Sequence, residues 1–240
     1  MNLLFVGAHP DDIEFLCGGT IAKYTAQGHS VWMAVATNGN AGSPTLTKAE
    51  IGALRKKEAT AAADRLGAAG LIWLDEDDEL LFDNLPTRLK FVEAIRQAKA
   101  DIIVTHNPHD YHPDHIACSK LATDARILSA VRLIETASQP LETSPELYYM
   151  DSLAGINFTP QFYVDISETF SAKEEALRAH ESQNGWIRKI FNQEFLDIAR
   201  VQSAFRGLQV GRPYAEGFSQ PSYWPRRPVT LPGLLEGMVL

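Results

Sequence analysis

The chain has only two cysteines, Cys17 and Cys118, far apart and without C-x-x-C spacing. That excludes a disulfide framework and a cysteine-rich zinc knot. No run of ~18 apolar residues is present, so no membrane-spanning helix is expected. Basic residues are in deficit, 22 against 30 acidic, and the net charge of −8 argues against nucleic acid or anionic lipid as a main partner. The start, "MNLLFVGAHPDD", lacks a basic n-region and a small-residue cleavage site, so no secretory signal is expected and a cytoplasmic protein is. A glycine-rich phosphate loop is missing too. Carboxylates stand where G-x-G-x-x-G or G-K-[ST] would follow the first strand, and Gly18-Gly19 comes too late, which disfavours a nucleotide-binding module. There are no internal repeats and no low-complexity tracts.

What is present is 45% hydrophobic residues over 240, enough for a substantial core. Short apolar runs at 3–7, 31–37, 71–74 and 102–105 read as buried strands, with weaker ones at 147–150 and 162–166. Helical stretches fall between them, roughly at 19–27, 48–66, 87–98 and 115–134. The second opens at Thr47 as a capping box with Glu50 and closes at Gly67. This alternation predicts an α/β fold: a doubly wound, mostly parallel, Rossmann-like sheet with helices on both faces. Two more helices are expected in "DISETFSAKEEALRAHESQ" and "EFLDIARVQSAFRG". Residues 1–218 then form one domain. The Pro-rich tail, 219–240, is expected to run as an extended arm that packs on the domain or on a neighbouring subunit, which points to a homo-oligomer.

Two charged clusters carry the chemistry. "FVGAHPDDIE" crowds His9, Asp11, Asp12 and Glu14 at the exit of the first strand, and "THNPHDYHPDH" follows the fourth. Ligands of open α/β sheets bind outside the carboxyl ends of the strands, where strand order reverses. If the first and fourth strands are neighbours there, both clusters face one crevice, and a divalent cation is the positive partner the carboxylates need. His9, Asp12 and His115 are the expected ligands. Such a set without thiolate fits zinc at an open catalytic site, and also ferrous iron or cobalt. Asp11 is then placed as general base towards a water that the cation makes acidic. His112, at the cap of the helix that begins at Pro113, is placed, if protonated, to stabilise an oxyanion and later to pass a proton to the leaving group, and Asp114 to hold an imidazole in its tautomer. Either cluster alone reads as ordinary loop chemistry; two at strand exits do not.

At these residues the sequence resembles the LmbE/PIG-L family of metal-dependent N-deacetylases. The first family motif stands as Ala8, His9, Pro10, Asp11, Asp12, Ile13, Glu14 and the second as His112, Pro113, Asp114, His115. "GGTIAKYTAQGHSV", "TNGNAGSP", "LRKKEATAAADRLG" and "GRPYAEGF" are similar to family segments in the family's order. The resemblance implies zinc on His9, Asp12 and His115, Asp11 as base and His112 on the tetrahedral intermediate. It implies a small N-acetylated amino-sugar substrate, with the opening stretch most similar to the bacillithiol-type and chitooligosaccharide branch. Arg55 matches an arginine that contacts the substrate, against the plainer reading of a solvated helix arginine. Asn38 and Gly39, after the second strand, are further candidates for substrate contact. An amidase or deacylase of the same scaffold acting on another N-acyl compound (an S-conjugate or antibiotic precursor), or a non-catalytic metal- or nucleotide-binding module, is the alternative. His180 reads best as a satisfied helix histidine and the cysteines as small buried residues; His106 and His109 are assigned no role.

Overall fold

Leu3 and Phe5 point to one side of the first strand and Leu4 and Val6 to the other, and all four are buried. A strand apolar on both faces must be covered on both. In a computed structural model, which describes residues 1–222, 224 and the backbone of 234–236, that is the arrangement found. Strands β1 (Asn2–Gly7), β2 (Ser30–Thr37), β3 (Gly70–Glu76), β4 (Ile102–Thr105) and β5 (Glu146–Met150) alternate with helices α1 (Asp12–Ala26), α2 (Lys48–Arg65), α3 (Leu85–Gln97) and α4 (Pro113–Leu128). Then come β6 (Phe162–Asp165), α5 (Phe170–Leu177), α6 (Glu181–Phe191), α7 (Phe195–Leu208), β7 (Ala215–Ser219) and β8 (Leu234–Glu236). The strand order is β3-β2-β1-β4-β5-β7-β6-β8. The first five strands are parallel and the pairs β5–β7, β7–β6 and β6–β8 antiparallel. One apolar core joins β1 and β2 to α1, α2, α5 and α7. The other joins the opposite face to α3 and α4.

β1 pairs with β2 on one side and β4 on the other, so the order reverses at β1 and β4. Val6 lies in register with Thr105, which puts the residues after Gly7 beside those after Thr105. The two clusters meet, as the topology requires.

Several elements differ from expectation: α4 ends at Leu128 rather than near 134, and a third helix, α6, stands between the two expected after β6. α1 begins at Asp12 rather than near 19, because Gly18 and Gly19 do not break it. Gly19 lets α1 approach β6: a Cβ there would sit 2.7 Å from Ile166. β7 was not expected as a strand; its buried Glu216 accepts from the Gly19 and Thr20 N–H groups and from Lys173 Nζ. The capping box forms as read, with Thr47 N–H on Glu50 Oε2 at 2.9 Å, and Gly67 closes the helix at φ +70°. Both cysteines are buried and free. Most of the expected arm lies outside the described residues. Among the described residues no helix is long and apolar enough to cross a membrane.

Candidate metal centre and active site

β1 ends at Gly7, and the chain turns at once into α1 through a strained step: Asp11, just before the helix, has φ 117°. Non-glycine residues adopt that backbone rarely, and Asp is among those that do. The turn aims His9, Asp11 and Asp12 into the crevice. On the other side β4 ends at Thr105 and α4 starts at Pro113, capped by His112, which accepts from Asp114 N–H through Nδ1 at 3.2 Å.

His9 Nδ1 lies 3.2 Å from His115 Nε2 and 3.4 Å from Asp12 Oδ2, and His115 Nε2 lies 3.3 Å from Asp12 Oδ1. Ligands ~2.0–2.1 Å from a tetrahedral zinc stand about 3.4 Å apart, so the spacing fits one cation. The outer nitrogens face carboxylates. His9 Nε2 is 3.3 Å from Asp114 and 3.4 Å from Asp78, and His115 Nδ1 is 3.1 Å from Asp110. A proton on each outer nitrogen leaves the inner lone pair for a cation. Leu81 N–H in turn anchors Asp114.

Burial would lower the pKa of His9, but Asp12, Asp114 and Asp78 outweigh it and push it up to about 10. Burial works against protonation of His115 as well; Asp12 and Asp110 raise it to about 9. Asp12 is held well below the carboxylate range: burial opposes this, but His115, His106 and His9 prevail. His112 is shifted down by burial and by His9 and His115, so it is neutral at pH 7, and with Nδ1 accepting it carries its proton on Nε2. Asp11 is raised by burial to about 6, with Arg55 pulling the other way: Nη2 is 3.5 Å from Asp11 Oδ2.

These groups open into one cavity of about 610 Å³, lined also by Phe15, Leu153, Trp186 and Phe195. Residues 4–126 match the family described as "PIG-L: GlcNAc-PI de-N-acetylase". The chain belongs to the PIG-L family. It is similar to the "Diacetylchitobiose deacetylase" of Thermococcus kodakarensis, with 27% identity across 90% of this chain and 81% of that protein. It is 32% identical to the "Probable N-acetyl-alpha-D-glucosaminyl L-malate deacetylase 2" of Bacillus cereus, over 76% of this chain and 83% of the relative. The fold is not confined to deacetylases. The 4-carboxy-2-hydroxymuconate hydratase of Pseudomonas putida KT2440 superposes with a TM-score of 0.81 at 23% identity, over 96% of this chain and 99% of the hydratase.

Within this PIG-L chain Arg55 is buried. It donates to Pro10 O at 2.7 Å and lies against Asp11. Gly39 packs beneath it: a Cβ would meet its side chain at 2.6–2.8 Å. Asn38 turns to Asp75 and to Asn40 N–H, and the nearby cavity wall is made by Ala41, Gly42 and Arg55. His180 is fully buried with Nε2 3.0 Å from Glu14.

Three site residues escaped the sequence reading. Asp78 and Asp110 orient the two imidazoles. His106 stacks on His115 at 4.0 Å, takes Ala8 N–H on Nε2 at 2.9 Å and sits 3.1 Å from Asp12. With Nε2 turned to the β1 backbone, it supports the ligands from behind. Its presence in the His-rich second cluster was the available signal.

His9 and His115 gain their protons from the same carboxylates that would accompany a cation, so metal and proton compete. At pH 7 metal binding should expel one to two protons, and apparent affinity should rise by roughly one to two decades per pH unit below pH 8. Calorimetry in buffers of different ionisation enthalpy measures this directly; affinity flat from pH 6 to 8 would count against it.

Proposed function

We propose that the chain is a zinc-dependent hydrolase that removes the acetyl group from an N-acetylglucosamine-containing substrate, yielding acetate and a free amine. The observation that carries this reading is the meeting of His9 Nδ1, Asp12 and His115 Nε2 at 3.2–3.4 Å in a cavity that also presents Asp11. Nitrogen and oxygen donors without thiolate suit zinc, and ferrous iron or cobalt after it. Bound there, the cation supplies Lewis acidity towards water and the amide carbonyl. A hydratase shares the fold, so the donor set and the family, not the architecture, support hydrolysis.

The chain's own groups divide the proton work. Ionised Asp11 takes a proton from the attacking water, whose oxygen bonds to the acetyl carbon. Neutral His112 offers Nε2–H to the oxygen that becomes negative. It cannot also surrender that proton, because the imidazole would become an anion. The leaving nitrogen is therefore protonated by Asp11, the C–N bond breaks and acetate forms. Burial raises the pKa of the Asp11 carboxyl, which favours one group acting first as base and then as acid. Arg55 and the Asp11 backbone step hold that carboxyl in place, and Asp114 and Asp78 fix His9.

Zinc-loaded protein should release free amine from N-acetylglucosamine conjugates and lose that activity on chelation. A fully loaded protein that releases no amine from N-acetylglucosamine, its methyl and octyl glycosides, its 6-phosphate, its malate conjugate or diacetylchitobiose overturns the reading.

A further inference from the structure

The cavity has two unlike halves. One is the polar end just described. The other is built after residue 150, by the 3₁₀ turn Leu153–Gly155 with Ile156, by α6 and by the start of α7. Among the described residues this second half offers no charged side chain to the cavity, only Gln183 and Gln193 among apolar groups. Phe15 and Phe195 stack at 4.9 Å, and Trp186 meets Phe191 edge-on at 5.4 Å. Phe191, 57% exposed, and Ile156, 47% exposed, leave apolar surface on this side of the cavity. The volume of about 610 Å³ lies in the ~300–1,000 Å³ range of pockets that enclose drug-sized ligands, so room remains beyond one acetamido sugar.

Charge narrows the occupant further. Arg55 is the one guanidinium or ammonium lining the cavity among the described residues, and it already faces Asp11 and Asp78. Asp11, Asp12, Asp78 and Glu79 leave the wall acidic around it. A carboxylate or phosphate on the substrate would find no free cation here and would meet like charge. A second sugar would bring hydroxyls to a wall with two amides to receive them, leaving others unpaired.

We propose that the substrate bears an uncharged apolar group, alkyl or aryl, that lies against Trp186, Phe191, Phe195 and Ile156 while the amide reaches the metal end. This rests on the deacetylase reading and names its substrate class. The group is carried at the anomeric carbon, because the amide already carries the acetyl group. The zinc-loaded protein is assayed below micelle formation on methyl and octyl β-glycosides of N-acetylglucosamine, on N-acetyl- and N-octanoylglucosamine, on the malate conjugate and on diacetylchitobiose. From methyl to octyl, kcat/KM should rise roughly 10–100-fold, as burial of several methylenes allows. Malate conjugate and diacetylchitobiose should fall below the octyl glycoside. Phe191→Ala, at a half-exposed position, and Trp186→Ala should each shrink the apolar-to-methyl ratio by several-fold. Equal rates on methyl and octyl glycosides would overturn the inference and leave the deacetylase reading intact. So would a preference for diacetylchitobiose or malate, or an octyl-to-methyl ratio unchanged in both variants. A preference for N-octanoylglucosamine over N-acetylglucosamine would overturn both the inference and the deacetylase reading. Failure on every substrate would fall on the deacetylase reading instead.

Discussion

Replacing His115 with alanine should reduce bound zinc from one equivalent per chain to a small fraction and lower deacetylation by roughly 10³-fold or more, the scale of removing an essential catalytic group. The geometry sets His115 apart from its neighbours. His115 Nε2 is one corner of the triangle with His9 and Asp12. His106, the nearest imidazole, has its Nε2 against Ala8 N–H. His112 has committed Nδ1 to the helix cap. Elemental analysis of the purified protein tests the metal, and thermal unfolding gives an independent readout. Zinc that binds only the folded state should raise Tm in the parent and leave the variant unmoved. A variant that keeps full zinc and full activity would remove His115 from the centre.

The second large effect is expected at Asp11. Asp11→Asn keeps the shape of the side chain, and Asn tolerates the positive φ of this position. Deacetylation should fall about 10²–10⁴-fold, the usual contribution of a positioned general acid–base, while zinc content stays unchanged. The parent should show an acid limb in kcat/KM, because only ionised Asp11 accepts the proton. Burial places that limb no higher than about 6, and the nearby cation draws it lower. The variant should lose the limb.

Stability should move the opposite way. The folded pKa of Asp11 is raised above its unfolded value, so its contribution to stability is present at low pH and is lost as pH rises through about 6. At pH 7 the ionised buried carboxylate is a liability, and metal-free Asp11→Asn should melt no lower than the parent. Parallel losses of activity and Tm would indicate a misfolded variant rather than a missing base.

The parts of this site that sequence made legible are local. A strand that ends in a His–Pro–Asp–Asp turn, and a helix opened by His112-Pro113, carry their chemistry at short spacing. The inference that the two turns meet needed only the reversal of strand order, and the β1–β4 pairing supplies it. What was not legible is made by distant segments. Asp78 sits in an acidic run after β3 that reads as a solvated loop, and it becomes an imidazole partner only because β3 pairs beside β2. Asp110 carries no spacing signal beside that of Asp114, though each carboxylate serves a different histidine. β7 lacks a strand signal of its own. Its Gly217 is required by Pro160, where a Cβ would come within 2.7 Å, and its Glu216 by the α1 backbone. The burial of Arg55 follows from packing against Gly39 and Pro10, which no helical periodicity reveals.

Anomalous scattering at the zinc edge, from crystals loaded with one equivalent of zinc, bears most directly on the claim that one cation unites the two turns. A single peak is predicted ~2.0–2.2 Å from His9 Nδ1, from His115 Nε2 and from one Asp12 oxygen. A peak elsewhere, or none in fully loaded crystals, would contradict it.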